Sequence, residues 1–390
     1  MVMKSIIITQ SLFIVLALIL ISCGERTDQI NDLSFDSERA FVSYKIDLNG
    51  KEAKLAELVE HIEVIRLEET EESLLGGIGH LNKYEGQYVF RSGKDGDIYF
   101  FSENGQYLRK INRFGSGPEE YEYVNDFWIK EDMLNLYVRN QAIKRYDMQG
   151  NYISSTKVPF QASHVLPYEE GYLLDMNYRF LNDSINCAFV YMSEEMELIA
   201  SFIENKRDPG FWISTDKNTI QKNSQDALLF RVMDDTVYRV NEGMLEPAIH
   251  YDFGENWYWR DKSEVDDSMF ELKEDSDQIW FIEQDLGNDF SFLTVYRGAS
   301  TKEFFLVDRE SRESVYINMS IGLNESLPVR TNFWSKDVFI MNLTSDVIGD
   351  FLATLSVDQW SFTQGTTLDI IESSENPVLL KIKFKDSSEW

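Results

Sequence analysis

"FFSENGQYLRKI" fills residues 100–111, and "RYDMQGNYISST" fills residues 145–156. Each is an aromatic strand end, a short polar turn with a glycine, and an alternating strand. Gly105 and Gly150 stand where a tight hairpin needs positive φ, a backbone state with no steric cost for glycine. A third copy, "VYMSEEMELIAS" at 190–201, keeps the interval: Phe101, Tyr146 and Tyr191 are 45 residues apart, as are Leu108, Ile153 and Leu198. It carries Glu195 in place of the glycine, so its turn is expected to be longer or of another type.

More strands lie upstream of these hairpins. "QYVFRS" (87–92) and "GDIYFF" (96–101) precede the first; "NDFWIKE" (125–131), "LNLYVRN" (134–140) and "IKRYDM" (143–148) lead into the second. Four short strands within about 45 residues, with turn signals every 8–12 or so, mark a β-propeller blade. A β-sandwich has no need of equal spacing. Strands at 228–254, 292–297, 303–310, 313–320, 336–344 and 376–385 continue the series less regularly. The segment 255–278 interrupts it as an insertion with helical character, and 347–355 places a second helical stretch in the last blade. Segments 41–47 and 61–69 are strand-like but complete no unit. A ring must close to remove its open edge. The expected fold is therefore all-β: a six-bladed β-propeller of four-stranded antiparallel blades over residues 41–390, closed by pairing 62–67 with 379–384, with small helical insertions.

The N-terminus carries an address. Lys4 precedes an almost wholly apolar run from 6 to 21, too short and wrongly flanked for a membrane span. "LISC" at 20–23 resembles the bacterial lipobox. Residues 1–22 then form a lipoprotein signal peptide, Cys23 is the lipid attachment site, and the polar stretch 23–40 is a flexible tether. The expected location is the cell envelope, anchored by lipid to the outer membrane at its periplasmic face or at the cell surface. With Cys187 the other of two cysteines, an intramolecular disulfide is excluded in the mature chain, and "NCAFVY" suits a small packing residue.

A formal charge of −30 argues against nucleic acid, which needs clustered Lys and Arg, and would hold the body off anionic headgroups. The acids are scattered, as on a solvated surface. Membrane contact is expected through the N-terminal lipid only, and the protein is expected to be a monomer.

Between the outer strand "GQYLRKI" and the next unit lies "NRFGSGPEE" (112–120). A corner joining two blades is expected here, with Gly117 at positive φ and Pro118 stiffening the exit. Phosphate binding fails on context, since no helix follows and no lysine stands at the required spacing. Gly115, Gly117, Pro118, Glu120 and Tyr121 resemble the G-x-G-P-G-E-Y signature of the six-bladed β-propeller lipoproteins of Bacteroidetes, which are similar to NHL-repeat propellers. Segments 62–81, 235–254 and 375–385 match in the same order, while Glu119 departs from the family's glycine and Asn112 from its frequent one. The resemblance implies the propeller and the lipid anchor, and brings no catalytic set.

Chemistry is sparse in the sequence. His61, His80, His164 and His250 are far apart and lack metal-site spacing, so neither a metal nor a cofactor is expected. "GGIG" (76–79) reads as a turn entering a strand, and no nucleophile elbow appears. Trp212, Trp257 and Trp259 lie in or beside expected loops, where they would stack on a ligand or else cover grooves between blades. The expected function is a binding or scaffold module for a protein or glycan, not an enzyme. A carbohydrate-active or NHL-type lyase or hydrolase is the alternative, to be favoured by a ring of inward-facing histidines or by paired carboxylates at the channel mouth, as an uncharged, aromatic-lined mouth would favour binding.

Overall fold

A computed structural model of the chain describes residues 41–390 except 180–185, 206–208, 212, 214, 216, 224–225, 263, 322–324 and 329. The expected signal, Cys23 and the tether fall outside the described residues, as does Trp212. Six sheets of four or five strands stand in a ring, with a short ribbon of Ser320–Ile321 and Glu325–Ser326 beside them. The innermost strands are Gly79–Tyr84, Val124–Lys130, Val165–Tyr168, Ile220–Asn223, Ile279–Leu286 and Arg330–Ser335, one for each of blades 1 to 6.

The core is annular. Each of six apolar clusters lies between two adjacent blades, so most strands are sandwiched and buried on both faces. Asp97–Ser102 and Met133–Val138 are accordingly nearly continuous apolar runs, whereas the outermost Tyr152–Lys157 alternates half-buried and exposed. Burial of large side chains between blades, at roughly 1.5–3 kcal/mol each, is the main force holding the ring. Cys187 is buried between blades 2 and 3, and burial pushes its thiol pKa up.

The ring closes through blade 6. Val378–Phe384 pairs antiparallel with Val338–Leu343 on one side and with Val59–Arg66 on the other, as the sequence implies. Three further strands add themselves in parallel to outer edges: Val42–Lys45 to blade 4, Glu52–Lys54 to blade 5 and Trp360–Phe362 to blade 6. Segment 41–47, which completes no blade in the sequence, thus covers an edge.

Gly105 and Gly150 take φ of +80° and +82° in their hairpins. The third hairpin corrects the expectation of another turn type. The amide of Met196 donates to the Ser193 carbonyl as Gly105 does to Ser102 and Gly150 to Asp147. Met196 occupies the glycine position at φ +65°, so the third unit is offset by one residue and Glu195 is not the counterpart. A non-glycine residue there costs about 1–2 kcal/mol. In the insertion, short 3-10 turns form at Gly254–Asn256 and Asp267–Glu271, and Ile348–Leu352 is a helix.

Candidate functional site

The innermost strands of a propeller are the one place where side chains from several blades meet. At the N-terminal ends of three of them stand His80 in Gly79–Tyr84, Asp126 in Val124–Lys130 and His164, just before Val165–Tyr168. The expectation that the histidines lie apart is corrected here. The rings of His80 and His164 are 5.8 Å apart, with Asp126 between them: its carboxylate is 3.7 Å from His80 Nδ1 and 3.6 Å from His164 Nδ1.

This carboxylate is held in place. The amide of Phe127 donates to Oδ1 at 2.8 Å, and that of Val165 to Oδ2 at 3.0 Å. Burial opposes its ionisation, but the hydrogen bond and charge of His164, the charge of His80 and the Val165 amide outweigh burial and hold its pKa below the usual value. Asp175, deep beneath, behaves oppositely. Burial raises its pKa against the pull of His164, and it accepts from Thr219 Oγ1 at 2.5 Å. His80 itself has φ +49°, a left-handed conformation that it shares with eleven other non-glycine residues among those described. Sequence spacing held a usable signal: His80 to Asp126 is 46 residues and Asp126 to His164 is 38, each about one blade.

Around this cluster the channel mouth is cationic. A cavity of about 490 Å³ is lined by His80, Arg91, Lys94, Lys217, Lys302 and Arg330, with Glu283 as its carboxylate and the glycine run 76–79 along its edge. Lys217 bonds Asp285 at 2.6 Å, and Thr215 bonds Glu283 at 2.7 Å. Arg91 Nη1 donates to the Val124 carbonyl and, like Arg139, lies over the Tyr123 ring. A narrower cavity of about 180 Å³ continues along the axis past Trp128, Gln284 and Trp334.

The crossing at 112–121 lines none of these cavities. It ties blades 1 and 2 together. Lys144 Nζ donates to the Pro118 carbonyl at 2.6 Å, Tyr146 to that of Glu119 at 2.8 Å, and Tyr121 to that of Gly96 at 3.3 Å. The reason for its glycines differs from expectation. Neither Gly115 nor Gly117 has left-handed φ. Instead Glu120 folds back to accept from the Gly117 amide at 2.8 Å, and a Cβ on Gly115 would overlap its carboxylate. The glycines make room for that side chain.

Trp257 and Trp259 are each 6% exposed and belong to the core between blades 4 and 5, so of the two roles the sequence offers they take the covering of a groove between blades and not ligand stacking at the mouth. Trp259 Nε1 donates to the Trp280 carbonyl at 2.7 Å, and the pair forms one wall of a cleft at the side of the ring. No helix among the described residues is long and apolar enough to cross a membrane.

Fold and site define a six-bladed β-propeller with a cationic, imidazole-bearing mouth. The chain belongs to the family described as "Domain of unknown function (DUF4934)", whose model matches residues 43–383. It is similar to a solved Bacteroides fragilis protein described as exported, at 17% identity and TM-score 0.72, covering 89% of this chain and 100% of that one. A Bacteroides vulgatus member of the DUF4221 family is more distant, at 11% identity and TM-score 0.51, with 85% and 98% covered. At these identities the likeness concerns the fold. No curated protein matches the sequence.

Proposed function

We propose that this protein is a lipid-anchored, extracytoplasmic binding module that holds the acidic groups of a glycan or protein ligand at its channel mouth. The observation that carries the reading is local charge. Five Lys and Arg side chains converge with one Glu on the mouth cavity of a chain whose formal charge is −30. A cationic concavity in an acidic body focuses field on anions, which the rest of the surface repels. The signal segment 1–22 ahead of Cys23 and the likeness to an exported Bacteroides protein support an envelope location, outer membrane at the periplasmic face or cell surface; the body is taken as monomeric.

One test addresses both parts. Cys23→Ala should move the protein from the detergent to the aqueous phase; continued detergent partitioning refutes the anchor. With the soluble form, binding of acidic against neutral oligosaccharides and peptides is compared for wild type and Lys94→Glu/Arg330→Glu, both positions being exposed. Preference for the acidic probes, weakened at least tenfold by the reversal and by salt, is expected. Equal binding of neutral probes, or indifference to the reversal, overturns the reading. The enzyme alternative draws support from His80, Asp126 and His164, which place acid–base groups beside the same mouth. Turnover of a bound acidic oligosaccharide would decide for it.

A further inference from the structure

We propose that His80, Asp126 and His164 form a binding site for a divalent transition metal, with zinc the best fit. Their ligand atoms, two imidazole nitrogens and a carboxylate oxygen, all lie within 4.8 Å of one another. Bonds of about 2.0–2.1 Å in tetrahedral geometry place ligands about 3.3–3.4 Å apart. His80 Nδ1 lies 3.7 Å from Asp126 Oδ1 and His164 Nδ1 lies 3.6 Å from Oδ2, so each imidazole faces its own carboxylate oxygen at a few tenths of an ångström beyond that separation. A bound ion would draw the three side chains inward from the 4.8 Å within which their ligand atoms now lie. Mixed imidazole and carboxylate donors suit Zn²⁺ or Fe²⁺ and suit Ca²⁺ or Mg²⁺ poorly, since these take oxygen.

The site is built rather than incidental. Each ligand comes from a different blade, at the same end of the innermost strand, so the ring geometry brings the three together. Two backbone amides fix the Asp126 carboxylate, and His164 is only 3% exposed. A divalent ion would compensate a carboxylate that is itself 4% exposed, with two neutral imidazoles completing the set. Three protein ligands leave at least one coordination position. A cavity of about 250 Å³ lined by Arg91, Arg139, Ser163 and Asn177 adjoins both histidines. Open sites of this kind accept a water or an anionic ligand group. A metal here would add Lewis acidity and a further anion contact at the mouth without depending on the charge-based reading above.

The test uses the soluble chain with all residues after the signal, stripped with chelator and titrated with Co²⁺ alone, followed by Zn²⁺ competition. Scattered surface carboxylates bind such ions weakly and give the pale spectrum of oxygen ligation. The expected result is one Co²⁺ per chain with the visible absorption of imidazole ligation, displaced by one Zn²⁺, and a raised melting temperature with metal present. His164→Ala and Asp126→Asn should each weaken Zn²⁺ by about 100-fold or more and abolish the thermal shift. His80→Ala, at the half-buried ligand, serves where a buried variant fails to fold, with circular dichroism establishing its fold. Absence of a stoichiometric imidazole spectrum in wild type overturns the proposal. So does Zn²⁺ affinity unchanged in folded His80→Ala, since the three residues are then a hydrogen-bonded array alone.

Discussion

Removing residues 376–390 should leave a chain with no single cooperative melting transition. The segment contributes Val378–Phe384, the third strand of blade 6, which lies between strands from the two ends of the chain. Val378, Leu379, Leu380, Ile382 and Phe384 are all buried. Five such side chains at roughly 1.5–3 kcal/mol each amount to about 8–15 kcal/mol, comparable with the whole net stability of a typical domain. Asn376 goes with them. Its side chain accepts from the Leu75 amide at 2.9 Å and donates to the Ser73 carbonyl at 2.9 Å, so the deletion also strips partners from buried backbone. Val59–Arg66 would then have no antiparallel partner, and two edges would lie open for aggregation. Differential scanning calorimetry with light scattering measures this. A sharp, unchanged transition in the truncated chain would show that the blades do not depend on closure.

The second large effect is expected at Gly105. Gly105→Ala should destabilise far more than Gly150→Ala, and that more than Gly86→Ala. All three glycines have left-handed φ, so each variant carries a similar backbone penalty of about 1–2 kcal/mol. They differ in what the new methyl meets. At Gly86 it finds open space; at Gly150 it comes within 3.0 Å of the Ile111 side chain, which can shift. At Gly105 it would overlap the carbonyl oxygen of Arg66, part of the closing strand, and backbone cannot give way as a side chain does. The Gly105 carbonyl also accepts from the Glu68 amide at 2.8 Å, so the hairpin of blade 1 and the closing strand are bound at this point. A loss above about 4 kcal/mol is expected there, in the range reserved for structural clashes. Urea melts of the three variants give the ranking directly, and equal midpoints for Gly105→Ala and Gly86→Ala would refute the seam.

Much of this architecture is local chemistry repeated, and so can be read from one chain. The hairpin turns at Gly105 and Gly150 need a particular backbone state, and that need shows in residue type. The blade count follows from the period of those turns, and the closure of 59–66 against 378–384 from the rule that a ring leaves no open edge. The third hairpin shows the limit of such reading. Met196 tolerates the glycine's conformation within a folded sheet, so the residue type no longer marks the turn and the register slips by one.

Other features depend on where distant segments come to rest. Val42–Lys45 lies beside Ile249 to Asp252 because the chain passes that edge on its way into the ring, and nothing in its four residues encodes a partner some two hundred positions away. Trp257 and Trp259 look like loop aromatics until the insertion folds down and buries them between blades 4 and 5. Glu120 is an exposed acid, yet its carboxylate folds back over the space that Gly115 and Gly117 leave, a contact its sequence setting does not show. His80, Asp126 and His164 share no short motif, because their nearness comes from the circular arrangement of blades and not from helical or strand spacing. Turn chemistry and period are properties of neighbouring residues and survive in the sequence. The imidazole pair is a product of packing blades 1 to 3 side by side, and the cationic mouth of the ring that brings blades 1, 4, 5 and 6 around one axis.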